Sequence, residues 1–274
     1  MKLYLNYLYT SLVLLGVLLM PATHFAQDAA LNKMYSAISK ANKVAFEFKS
    51  LERMDNGNSK KMAERHMEVD MSSSPLKIEI KLFKPNKGTK VVYDPNYKRS
   101  YAKVYVNLGI ASLPTDHYLH GSTLMNDAHH PVTATGFKAV RDIFKGAQAK
   151  ARSEGRYNTV FADKGTVTFE GKSCHKVEAY DANYTFEDYK VSAGESVLSI
   201  AKKKNLSAYK IMTINPNIRK VTDKLDGKTI KLPSSYAKYA VIYIDNSNNL
   251  PYMAEVHDEK GLFEKYYFYK VKVK

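Results

Sequence analysis

The sequence predicts an α+β protein: an antiparallel sheet covered by helices, with a small βααβ unit inserted between two of its strands. Three observations predict it. Short runs in which apolar residues alternate with polar ones recur along the chain, two segments repeat apolar residues at helical spacing, and residues 189–233 hold strand, helix, helix and strand in close succession.

The chain opens on a targeting pattern. Lys2 precedes an apolar run from Leu12 to Met20, Pro21 breaks it, and Ala26-Gln27 is the expected cut, so residues 1–26 read as a signal peptide. His24 is not the small residue usual before such a cut, which leaves its position open by a few residues. An uncleaved anchor is the alternative, and the run is short for spanning a bilayer.

Next, Leu31, Met34, Tyr35, Ile38 and Ala41 recur at helical spacing, with Asp28 placed to favour the helix start. Strands follow. Val44, Phe46 and Phe48 alternate, Asp55-Asn56-Gly57-Asn58 turns, and Met67, Val69 and Met71 alternate. Ile78, Ile80 and Leu82 make a third strand, followed by Val91 to Tyr93 and Tyr101 to Val106, so the first third reads as an antiparallel meander. From Gly109 to about Pro131 the spacing predicts an irregular connection. Phe137, Val140, Phe144 and Ala147 then mark a helix that Thr133 or Thr135 would cap, and strands resume at Thr166 to Phe169 and Cys174 to Tyr180.

In residues 189–233, Tyr189 and Val191 alternate as one short strand and Ile230 and Leu232 as another. Ser196 is placed to cap a helix carrying Val197, Ile200 and Ala201; Ser207 is placed to cap a second with Ile211 and Ile214, which Asn215-Pro216-Asn217 stops. The tail adds strand-like runs at Tyr239 to Ile244, Tyr252 to His257 and Leu262 to Val273, the last placing Tyr267, Tyr269, Val271 and Val273 on one face. No helix in the tail covers that face, and three strands alone are marginal in water. The tail is therefore expected to complete the earlier sheet. That makes residues 27–186 and 236–274 one discontinuous domain and residues 187–235 an insertion in a surface loop.

The inserted unit resembles the LysM domain, on Tyr189-x-Val191, Gly194-Glu195-Ser196-Val197, Ile200-Ala201, Asn205, Asn215-Pro216-Asn217 and Gly227 to Pro233. Glu195-Ser196 stands where Asp-Thr is commoner in that family, and the segment Ile218 to Lys224 is long and basic. The resemblance implies binding of N-acetylglucosamine glycans such as peptidoglycan in a shallow groove formed by Gly194, Glu195, Ser196, Val197, Pro216, Asn217 and Ile218. Backbone amides at the helix start would meet an N-acetyl carbonyl there. The host resembles the curved, half-open barrel of LolA-like periplasmic carriers. Within that group it is similar to an exported bacterial family of unknown function, on His130-Pro131-Val132-Thr133 with Gly136, and Leu250-Pro251-Tyr252 with Asp258-Glu259-x-Gly261-Leu262. This second resemblance implies a cavity for acyl chains.

Composition narrows the function classes. The 42 Lys and Arg against 27 Asp and Glu give a net charge of +15, with acids interspersed throughout. Such a surface suits anionic wall polymers as well as nucleic acid. Tyrosines follow strand periodicity and Lys202-Lys203-Lys204 reads as a solvated helix face, so nucleic acid is not an expected partner. The single cysteine, Cys174, among Val167, Phe169, Val177 and Ala179, reads as a buried structural thiol. His117, His120, His129 and His130 with Asp116 and Asp127 lack metal-site spacing, and no Gly-x-Ser-x-Gly elbow is present. Cys174 and His175 fall on opposite faces of a strand. Neither a cofactor, a metal nor an enzyme activity is expected.

These readings converge on a non-enzymatic, exported envelope protein held on peptidoglycan by its insert and not integral to the membrane once the signal is cut. The alternative is a periplasmic carrier of lipid or acylated protein in the host cavity, with the insert only localising it.

Overall fold

The computed structural model describes residues 23–56, 59–106 and 113–274. Apart from its last residues, the expected signal peptide lies outside the described residues, as does the Gly57-Asn58 tip of the first turn. Among the described residues, no helix is long and apolar enough to cross a membrane.

Eleven strands form one antiparallel sheet. Helix α1 (Thr23–Lys40) leads into β1 (Lys43–Asn56), β2 (Ser59–Ser73), β3 (Leu76–Lys84), β4 (Lys90–Tyr93) and β5 (Tyr101–Tyr105). The expected irregular connection holds two further elements, β6 (Pro114–Tyr118) and the short α2 (Ser122–Met125). Strand β6 pairs Thr115 with Val104 and His117 with Ala102. Its own side chains are mostly exposed, so it carries no apolar alternation to betray it.

A 3-10 turn at Val132–Ala134 precedes α3 (Phe137–Ser153). The N-cap of α3 is Gly136, at φ +103°, rather than Thr133 or Thr135. A Cβ at Gly136 would stand 3.0 Å from Met71 Sδ and 3.4 Å from Phe46 Cζ, so the chain enters the helix too close to the sheet for a side chain. After α4 (Tyr157–Val160) come β7 (Phe161–Phe169) and β8 (Lys172–Tyr180), then β9 (Phe186–Lys190), α5 (Val197–Lys204), α6 (Ala208–Thr213) and β10 (Thr229–Pro233). The tail is β11 (Tyr239–Asp245), β12 (Pro251–Asp258) and β13 (Gly261–Val273).

The large sheet runs β6-β5-β4-β3-β2-β1-β13-β12-β11-β8-β7, so the tail lies between the early meander and the β7-β8 hairpin. Strand β13 pairs with β1 and β11 with β8, both antiparallel, which is the closure the uncovered tail required. The face turned to the helices differs from expectation. Glu264, Tyr266 and Phe268 are buried, whereas Tyr267 and Tyr269 lie on the opposite face beside Tyr252 and Cys174. Lys270 takes a left-handed φ of 52°, which breaks the alternation and lets Val271 pack with the main core again.

One core fills the space between sheet and helices. Leu31, Met34 and Ile38 of α1 and Phe137, Val140 and Phe144 of α3 pack on Phe46, Val69, Ile78, Ile242 and Phe268 of the sheet. The helices are tied by a buried hydrogen bond from Tyr35 Oη to Gln148 Oε1 at 2.6 Å. Strands β9 and β10 form a separate two-stranded sheet around a second core of Val191, Val197, Ile200, Leu206, Ile211, Leu225 and Ile230.

Candidate functional site

Strand alternation builds the first candidate. Along β1 the even-numbered residues Val44, Phe46, Phe48, Ser50 and Glu52 are all buried, facing the helices. Pairing sets their neighbours. Phe48 lies between Met67 of β2 and Phe268 of β13, Ser50 between Arg65 and Tyr266, and Glu52 between Ala63 and Glu264. Directly opposed residues share a face, so three successive rows change from apolar to hydroxyl and guanidinium to carboxylate.

Over the first two rows lies a cavity of about 80 Å³. Phe48, Met67, Ile80, Leu82 and Val91 form its sheet side, Val132, Ala139, Val140 and Ile143 its helix side, and Glu52, Arg65, His130 and Tyr266 its polar end. It is roughly half the ~150 Å³ of an engineered apolar cavity that takes up benzene.

The carboxylate row is the centre of a buried polar network. Glu264 is wholly buried and accepts from His129 Nδ1 at 2.8 Å, His130 Nε2 at 3.1 Å and Tyr236 Oη at 3.0 Å. Burial alone would push its carboxyl up, but His130 and His129 outweigh it and hold the pKa well below the usual carboxylate range. Burial likewise opposes protonation of His130, and the Glu264 charge reverses that, raising its pKa. Glu52 accepts from Arg65 Nη2 at 2.7 Å and from the His129 amide at 2.6 Å. Burial, and then the charges of Glu264 and Glu52, keep the Tyr266 phenol protonated well above its ordinary value.

This network continues into the βααβ unit. Tyr209 of α6 stacks on His129 with ring centroids 4.0 Å apart, and its hydroxyl accepts from the Asp55 amide at 2.7 Å. Lys210, 1% exposed, donates to Asp258 and Glu259 at 2.7 Å each, and Asp258 also pairs with Arg53. Asn205 donates to the Ile143 carbonyl at 3.4 Å.

The residues expected to bind glycan fall into two groups. Gly194, Pro216 and Asn217 are exposed, and Gly194 takes φ +79°. Ser196 caps α5 in a reciprocal capping box with Ser199, while Val197 and Ile218 are buried in the small core. Glu195 accepts from the Ser192 amide at 3.0 Å, Lys203 Nζ at 3.0 Å and Tyr189 Oη at 2.8 Å, bonds that bring its pKa down to about 2. Several polar groups of this loop are already used: the Gly194 amide donates to Asp226, its carbonyl accepts from Lys224 Nζ at 2.6 Å, and the Ser196 amide donates to Ser199 Oγ at 2.8 Å.

Of the four histidines near residue 120, His129 and His130 join the network above. His117 lies on β6 beside Thr115 Oγ1 at 2.8 Å. Cys174 is buried with its pKa pushed up by burial, and His175, on the opposite face, pairs with Asp163 at 2.7 Å. Sequence reading missed Ser50, Glu52, Arg65, Lys210, Glu264 and Tyr266. The available signal was phase: Ser50 and Glu52 extend the Val44-Phe46-Phe48 alternation, and Glu264 shares the phase of Tyr266 and Phe268.

No protein-family model matches the chain, and no curated protein sequence matches it. Solved structures of similar outline include the Mycobacterium tuberculosis lipoprotein LppX, at 11% identity and TM-score 0.39, covering 91% of this chain and 98% of that one. LprF from Mycobacterium bovis is similar at 10% identity and TM-score 0.39, covering 90% and 96%. A putative outer membrane lipoprotein-sorting protein domain from Vibrio parahaemolyticus is similar at 9% identity and TM-score 0.30, covering 90% and 93%.

Proposed function

We propose that this is a non-enzymatic, exported carrier that holds an acyl-type ligand between its sheet and α3. The observation that carries the reading is the cavity itself: largely apolar on both walls, with its charged groups, Glu52, Arg65 and His130, at one end. The entry of a chain would require α3 and the Val132–Ala134 turn to move off the sheet. Native mass spectrometry of the protein purified from cells, without detergent, tests this. A co-purifying lipid released on unfolding is expected; a protein that stays at its polypeptide mass and takes up no added lipid refutes it.

In this reading residues 187–235 are a LysM-like module within a discontinuous host of residues 27–186 and 236–274, and the module localises the carrier. A second reading, in which glycan binding is the main function, is favoured by the exposure of Gly194, Pro216 and Asn217 beside an independent small core. The groove would comprise Gly194, Glu195, Ser196, Val197, Pro216, Asn217 and Ile218. Co-sedimentation with purified peptidoglycan sacculi distinguishes the readings. Pelleting lost in a Pro216→Ala, Asn217→Ala double variant supports the groove; equal pelleting at high salt in both proteins removes it.

A further inference from the structure

Four buried side-chain polar atoms lack a protein partner among the described residues, and three of them are Ser50 Oγ, Arg65 Nε and Tyr266 Oη. These three are not scattered. Ser50 is paired with Arg65 on one side and Tyr266 on the other, so they form one row across β2, β1 and β13. Arg65 and Tyr266 line the cavity, and Ser50 and Tyr266 are 1% and 6% exposed. Leaving such groups unpaired in a dry interior is costly, and a cluster at the end of an apolar cavity points to a ligand atom.

We propose that Arg65 and Tyr266, with Ser50 between them in the same row, anchor the ligand by donating hydrogen bonds to the carbonyl oxygen of an uncharged fatty-acyl ester, whose chain lies over Phe48 and Met67. This inference rests on the carrier reading and specifies its ligand class. The guanidinium Nε–H is a donor only, and both hydroxyls can donate, so the three match an acceptor oxygen. Charge selects an uncharged one. The Arg65 guanidinium already offsets Glu52 at 2.7 Å, and Glu264 lies in the adjoining row. His130, the other cation at this end, is likewise matched by Glu264 at 3.1 Å, so a free carboxylate placed here would find each cation already paired and two carboxylates nearby.

The test uses the full exported chain, stripped of lipid, titrated by calorimetry with 1-monodecanoylglycerol, decanoate and decane. The glyceride is expected to bind more tightly than either of the others. Tyr266→Phe, which keeps the ring stacked on Phe48, is expected to weaken the glyceride about fivefold and leave decane unchanged. Ser50→Ala is expected to act in the same direction. Thermal melting of both variants at or above wild type shows that the fold is intact. If Tyr266→Phe and Ser50→Ala bind the glyceride as wild type does, the anchor is overturned and the carrier reading stands. If decanoate binds best, the uncharged class is overturned. If no probe binds wild type, the carrier reading itself fails.

Discussion

Replacing Glu264 by Gln removes one charge at constant shape from the centre of the buried network. The carboxylate has 0% side-chain exposure and accepts from His129, His130 and Tyr236 within 3.2 Å. Breaking a buried pair from one side costs about 3–5 kcal/mol because the partner is left uncompensated. Here His130 is 23% exposed at its side chain and recovers some hydration, so about 3 kcal/mol is expected. The cost depends on pH in a defined sense. Glu264 has its pKa lowered on folding, so its contribution is present above the unfolded value of 4.5 and is lost as pH falls through the folded one. His130 has its pKa raised, so its contribution is full below 6.5 and is lost as pH rises through the folded value. The wild-type advantage should therefore be largest between pH 4.5 and pH 6.5 and shrink on the alkaline side. Urea unfolding followed by circular dichroism or tyrosine emission, from the 21 Tyr and no Trp, measures it at several pH values. A difference under about 1 kcal/mol, or one that does not vary with pH, would refute the reasoning.

Lys210→Met should cost about 2 kcal/mol in the same assay, less than a full buried pair because Asp258 keeps Arg53 and Glu259 is 29% exposed; an unchanged urea midpoint would show that α6 is not clamped to the host. Gly136→Ala should destabilise by about 1–3 kcal/mol through its positive φ and the approach to Met71 and Phe46, read from the same denaturation curve. Cys174 should resist a thiol reagent in the folded protein and react once it is unfolded in urea; immediate labelling would contradict its burial.

Much of the fold was legible because it depends on local alternation. The β1 to β5 meander, both principal helices and the strand order of the tail follow from apolar spacing and turn residues, and the uncovered tail face implied that β13 must join earlier strands. What escaped notice depends on non-local facts. The phase of β13 was misassigned because Tyr267, Tyr269, Val271 and Val273 alternate cleanly, whereas the left-handed turn at Lys270 divides them between two faces. β6 carries no apolar pattern, and Gly136 displaced the threonine cap because the sheet approaches it too closely. The candidate cavity was illegible for another reason. Its polar end brings together Glu52, Arg65, His130 and Tyr266, from residues up to 214 positions apart in sequence. Local reading treats a serine or glutamate at the end of an apolar run as the run's end; register shows that the buried face continues through both.

Helix α6 contacts both the small core and the buried polar network of the large sheet. Consecutive residues on an α-helix point about 100° apart, so Ile211 enters the small core while Lys210 and Tyr209 reach the host network. Tyr209 and Lys210, with Asn205 before the helix, thus form the joint. Tyr209 stacks on His129, and His129 and His130 share Glu264, which lies one row from the hydroxyls at the cavity's polar end. The insert is therefore docked through buried charge rather than tethered, and its orientation is fixed with respect to the cavity. In the carrier proposed above, a shift of His130 on ligand entry would reach Tyr209 of α6 through Glu264 and His129. Binding at the cavity and at the exposed loops around Gly194 and Asn217 would then be linked through Glu264, with reciprocal effects on affinity.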